Sequence, residues 1–225
     1  MEIRRTFMNK YFTLVLSLVV HVSVPLVSAH AAYDGPEPIE FTILMGGDTV
    51  GFDRVEFEDH GDTLEVIREI KITVTFLMFN AYEYTHYDRE VWKDGALQSL
   101  VAKTNDNGET FRVQAQKTDQ GLHVMTGDSS YVTSPEIIPT SYWNRQLINQ
   151  KQLLDTQHGR ILEVNTREVG TEKFKYGSRM VSTRKYRVKG ELELEIWYDQ
   201  SDRWIRLAFE KNDYEFIYRY NPNPI

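Results

Sequence analysis

The amino-acid sequence predicts an all-β protein: one strongly curved antiparallel sheet, a half-barrel or open barrel, with one short helix or irregular insertion. Three observations carry that expectation. The stretch Lys185 to Tyr220 alternates short aromatic or aliphatic segments with turn residues, and Glu191, Glu193 and Glu195 interleave with Leu192, Leu194 and Ile196 at a period of two. The longest alternating run follows Asp62, with Leu64, Val66, Ile70, Ile72, Val74, Phe76 and Met78 on one parity and Glu65, Glu69, Lys71, Thr73 and Thr75 on the other. At roughly 3.3 Å per residue this run would be about 50 Å long, so it must curve or break at Asn80. Finally, Asp94-Gly95 and Asn107-Gly108 are hairpin dipeptides, which make sequence neighbours into sheet neighbours.

The domain expectation has four parts. Arg4, Arg5 and Lys10 precede an apolar run from Tyr11 to Val27 that ends in Ala29-His30-Ala31, the pattern of a cleaved export signal over residues 1–31. Arg4-Arg5-Thr6-Phe7-Met8 also resembles a twin-arginine signal, and ordinary export is the preferred of the two. A linker at 32–38, a single β domain at 39–220 and a short tail at 221–225 follow. The expected location is the periplasm or the medium, with no transmembrane anchor after cleavage.

Composition narrows the function. The sequence has no cysteine, which removes disulfides, thiol nucleophiles and thiolate metal sites. Losing three bases and one acid with the leader takes the formal charge from −7 to −9. Bases are interleaved with acids, so a nucleic-acid partner is not expected.

In chain order, Ile39 to Met45 reads as a strand, Gly46-Gly47-Asp48 as a turn and Thr49 to Glu58 as its return. Strands are expected at Ala96 to Thr104, Glu109 to Lys117 and from Leu122. Gly127 to Pro139 should be irregular, because Ser134-Pro135 and Ile138-Pro139 both interrupt regular structure. Thr140 to Leu154, rich in Asn and Gln behind a capping Thr or Ser, is the one candidate helix, with an irregular loop as its rival. Strands resume at Arg160 to Glu168 and at Phe174 to Val188.

Candidate chemistry is sparse. Ser141, Asp155 and His158 are the residue types of a hydrolase triad, but a helix cap and a polar turn explain them more simply. His86, Asp88 and Glu90 share a strand parity yet span about 13 Å, too far for one ion, so neither metal nor cofactor is expected. Paired carboxylates of a glycosidase can be chosen from any of 33 acids and carry no signal by themselves. The face Tyr82, Tyr84, His86, Asp88, Glu90 and Trp92 is more informative. Aromatic at its ends and ionisable in its middle, it suits a lined cavity better than a packed interior, since lone buried carboxylates cost several kcal/mol. Trp197 and Trp204 read as core.

Tyr82-x-Tyr84-x-His86 through Glu90-x-Trp92, Asp94-Gly95-x-Leu97, Asn105-Asp106-x-Gly108, Ser141-Tyr142-Trp143-Asn144 and Ile196-Trp197-Tyr198-Asp199 together resemble a family of exported bacterial proteins of unknown function. More loosely, the strand order, the Pro-broken loop and the closing Trp-Tyr-Asp hairpin look like periplasmic half-barrels that carry lipids or lipoproteins. That likeness implies a concave face that holds acyl chains.

The functional expectation is a non-catalytic binding or carrier module for an apolar or amphipathic small molecule. Tyr82, Tyr84, His86, Glu90, Trp92, Trp143 and Asn144 would border its cavity, and the sequence identifies no protein partner. The rivals are a small secreted hydrolase and an outer-membrane-associated β-barrel or assembly protein.

Overall fold

The computed structural model describes residues 36–76, 79–211 and 213–222. The export signal, the start of the linker, Met78 and the end of the tail lie outside them. The described residues carry fifteen strands: β1 Ile39–Met45, β2 Asp48–Asp59, β3 Leu64–Phe76, β4 Phe79–Lys93, β5 Ala96–Asp106, β6 Glu109–Thr118, β7 Gly121–Met125, β8 Ser130–Thr133, β9 Ile138–Pro139, β10 Gln152–Leu154, β11 Ile161–Tyr176, β12 Arg179–Gly190, β13 Leu194–Asp199, β14 Trp204–Lys211 and β15 Tyr214–Asn221.

All fifteen belong to one sheet, ordered β8-β7-β6-β5-β4-β3-β2-β1-β15-β14-β13-β12-β11-β10-β9. Sequence neighbours pair antiparallel, except that β8 and β9 stand at opposite edges and β9 and β10 pair parallel; β1 also pairs antiparallel with β15, which brings the two ends of the domain together. The sheet is a meander bent round until its edge strands, β8 and β9, stand at either side of an unclosed seam. This is the single curved antiparallel sheet that the alternation and hairpin dipeptides predict. The curvature turns the inward parity of many strands onto one core: Phe41 and Ile43 of β1, Val55 of β2, Val66 of β3, Leu100 of β5, Ile196 of β13 and Trp204 of β14 are all fully buried.

The predicted turns form as expected. Asp94 and Gly95, and Asn107 and Gly108, all adopt positive φ, the twist that lets a two-residue loop join right-twisted strands. The long run does not continue past Asn80 as one strand: β3 ends at Phe76 and β4 starts at Phe79, and the two pair as a hairpin.

Two segments differ from expectation. Gly127 to Pro139 is not wholly irregular, since β8 forms within it; Ser134 and Pro135 separate that strand from β9, whose two residues end at Pro139. The candidate helix shrinks to one 3-10 turn, Arg145–Asn149, capped by the Asn144 side chain accepting from the Gln146 N–H at 3.0 Å. Tertiary packing overrides helix propensity here. Leu147, Leu153 and Leu154 point into the barrel and are fully buried, so the insertion serves as an interior plug.

Candidate functional site

The interior divides along its axis, and the division begins with strand register. β3 and β4 pair so that Leu64 faces Trp92, Val66 faces Glu90, Arg68 faces Asp88, Ile70 faces His86 and Ile72 faces Tyr84. The inward face of β4 therefore runs from one end of the barrel to the other. At about 3.3 Å per residue, Tyr82 and Trp92 are roughly 33 Å apart. The seven predicted site residues are consequently split among three places.

At the end holding the β2–β3 and β4–β5 turns, the interior is packed. Glu90 is completely buried, and its Oε2 accepts hydrogen bonds from the indole N–H of Trp92 at 2.8 Å and of Trp143 at 2.9 Å. The Trp143 ring meets Trp92 and Phe57 edge-on, with centroids 5.4 and 5.5 Å away. Glu90 and Trp92 thus belong to a bonded core. Trp143 and Asn144 border a separate depression with Phe57, Arg145 and Asp202. Burial, reinforced by the charge of Asp88, pushes the Glu90 carboxyl up to about 7 against hydrogen bonding from both indoles. Glu90 Oε1, Asp88 Oδ1 and Ser141 Oγ are buried without a hydrogen-bond partner.

The middle layer is ionic. Arg68 and Asp53, 2% and 0% exposed, form a bidentate pair, with Nη2 donating to Oδ2 at 2.7 Å and Nε to Oδ1 at 3.0 Å. Arg68 Nη1 also donates to the Thr140 carbonyl at 3.2 Å, tying the insertion to β3. Its guanidinium lies over the Tyr142 and Trp204 rings, 5.2 and 5.5 Å from their centroids. Burial opposes the Arg68 charge, but the Asp53 carboxylate outweighs it and holds the guanidinium ionised. Beside this pair, His86 Nδ1 contacts Thr104 Oγ1 at 2.7 Å and Nε2 contacts Asp88 Oδ2 at 3.0 Å. Asp53 and Arg68 lie outside the residues singled out from the sequence, although each sits in phase with buried apolar side chains, Asp53 with Val55 and Phe57, Arg68 with Val66 and Ile70. A charge on a core parity is the signal.

Above this layer is a cavity of about 280 Å³. Tyr82, Tyr84 and His86, three of the predicted residues, line it. The segment between β10 and β11 supplies Asp155, Thr156, Gln157, His158 and Arg160, and β13 to β15 supply Leu194, Leu207, Phe209, Phe216 and Tyr218. Exposed Glu191, Glu193 and Lys211 stand at its rim. The β10–β11 segment also spans the seam: the Tyr131 hydroxyl donates to the Gly159 carbonyl at 2.7 Å, and Phe111 meets the His158 ring edge-on.

The hydrolase grouping does not assemble. His158 Nδ1 bonds Asp155 Oδ2 at 2.8 Å, whereas the Ser141 hydroxyl neighbours Glu90 and has no bonded partner. Among the described residues no three His, Asp or Glu side chains converge as metal ligands.

Fold and interior define an open β-barrel with a plugged, ionic centre and a cavity at one end. Residues 41–221 match the family described as a domain of unknown function, DUF6134, and the chain belongs to that family. Its fold is similar to a crystal structure of a beta-barrel-like protein of domain of unknown function DUF1849 from Brucella abortus. The TM-score is 0.54 at 10% sequence identity, over 81% of this chain and 94% of that one. Comparison with curated proteins gives no match.

Proposed function

We propose that the protein is a non-catalytic binding or carrier module, acting in the periplasm or outside the cell, that holds an apolar or amphipathic small molecule in the cavity bordered by Tyr82, Tyr84 and His86. The observation that carries this reading is the cavity itself. The insertion buries Leu147, Leu153 and Leu154 completely, yet the interior beside Phe209 and Leu192 stays open. A volume near 280 Å³ suits one small ligand or one acyl chain.

The outer face argues against a lipid-embedded barrel. Cross-strand neighbours Arg54, Glu69, Tyr87, Lys103 and Arg112 run across five adjacent strands, a transverse charged row that hydrocarbon would penalise.

The test uses the chain without residues 1–31, a fluorescent fatty acid, and Tyr84→Ala beside Trp143→Ala. Tyr84→Ala should weaken probe binding about tenfold with little change in melting. Trp143→Ala, which strips a ring and a hydrogen bond from the packed end, should cost roughly 3 kcal/mol of stability and leave affinity unchanged. A wild type that binds neither this probe nor an apolar dye overturns the reading.

A further inference from the structure

Resting on that binding reading, we infer that the occupant is facially amphipathic: a ligand with polar groups along one face and hydrocarbon on the other, as opposed to a chain with one polar end. The cavity has two unlike walls. One is made by β4 and the β10–β11 segment and is polar along its length. The Tyr82 hydroxyl donates to Asp106 Oδ1 at 2.7 Å, Gln157 Nε2 to Asp106 Oδ2 at 3.4 Å, and the Tyr84 hydroxyl to Gln157 Oε1 at 3.2 Å. Thr156 Oγ1 lies 3.4 Å from His86 Nε2 and continues the row inward.

Four to six strands further round the sheet from β4, β15 to β13 present Leu194, Leu207, Phe209 and Phe216 to the same space. Phe209 and Phe216 stack there, with centroids 5.1 Å and planes 5° apart, as a continuous aromatic patch.

Ligand chemistry follows from these walls. The Tyr82 and Tyr84 oxygens keep acceptor capacity after donating to Asp106 and Gln157. An unbranched acyl chain would lay methylenes along that wall and leave the capacity unanswered. A fused-ring ligand with hydroxyls on one face answers it along its length and covers β13 to β15 with its other face. Arg68 stands at the floor but is already matched by Asp53, so the deep end offers no spare positive charge for a carboxylate head group.

Isothermal titration calorimetry of the chain lacking residues 1–31, with sodium cholate and sodium laurate each below its micelle concentration, tests this. Cholate should bind one to one and at least tenfold more tightly than laurate. Gln157→Leu and Tyr84→Phe, checked for unchanged melting, should each shrink that ratio at least threefold by weakening cholate alone. Laurate binding as tightly as cholate overturns the inference and leaves the carrier reading standing. A cholate preference that neither variant alters also overturns it, because the ligand then does not lie on the polar wall. If neither compound binds and the fluorescent fatty acid does not either, both readings fall.

Discussion

Replacing Glu90 with Gln tests the packed end of the barrel most directly. Glu90 is fully buried, and its carboxyl is raised from 4.5 to about 7 by burial and the charge of Asp88. A raised folded-state value means the fold prefers the protonated acid. The associated stability is fully present below pH 4.5 and is lost as pH climbs through 7. At about 1.4 kcal/mol per pH unit, the loss amounts to roughly 3 kcal/mol. Gln mimics the protonated form: its carbonyl oxygen can accept both indole N–H groups, and its amide can donate where Glu90 Oε1 lacks a partner, beside Ser141 and Asp88. Glu90→Gln should therefore match wild type at pH 5 and exceed it at pH 8 by about 2 to 3 kcal/mol. For a domain of this size that is roughly 5 to 10 °C in melting temperature. Urea denaturation at both pH values measures it. A variant equally destabilised at pH 5 and pH 8 would refute the reasoning, because the carboxylate would then be an ionised member of the core.

The Arg68–Asp53 pair should behave as a buried ion pair whose halves depend on each other. Arg68→Met alone should cost about 3 to 5 kcal/mol in chemical denaturation by stranding Asp53, and Arg68→Met with Asp53→Leu should recover most of it; equal losses in the single and double variants would contradict this. At the seam, Gly159 has φ +69°, and a Cβ there would lie 2.5 Å from Thr126 Cγ2. Gly159→Ala should cost about 2 kcal/mol or more, and an unchanged denaturation midpoint would mean that the seam yields freely.

Those parts of the fold that depend on local chemistry are legible in the order of residues alone. Asp94-Gly95 and Asn107-Gly108 specify their hairpins because so few residues tolerate positive φ in both turn positions. The alternation around Val66, Ile70 and Ile72 assigns those side chains to the core, since a strand turns successive residues to opposite faces. Tyr82, Tyr84 and His86 were readable as an unusual mixed face for the same reason. Tertiary structure decided what local pattern cannot carry. Whether Glu90 would be wet or bonded depended on Trp143, 53 positions away in sequence, arriving with an indole N–H. Arg68 became a core residue only because β2 set Asp53 beside it and the insertion brought the Thr140 carbonyl. The helix-forming Gln and Lys of the insertion yielded to burial of Leu147, Leu153 and Leu154. The division of β4 between packed core and cavity followed from where that plug stopped along the barrel axis, a position set by contacts among segments distant in sequence.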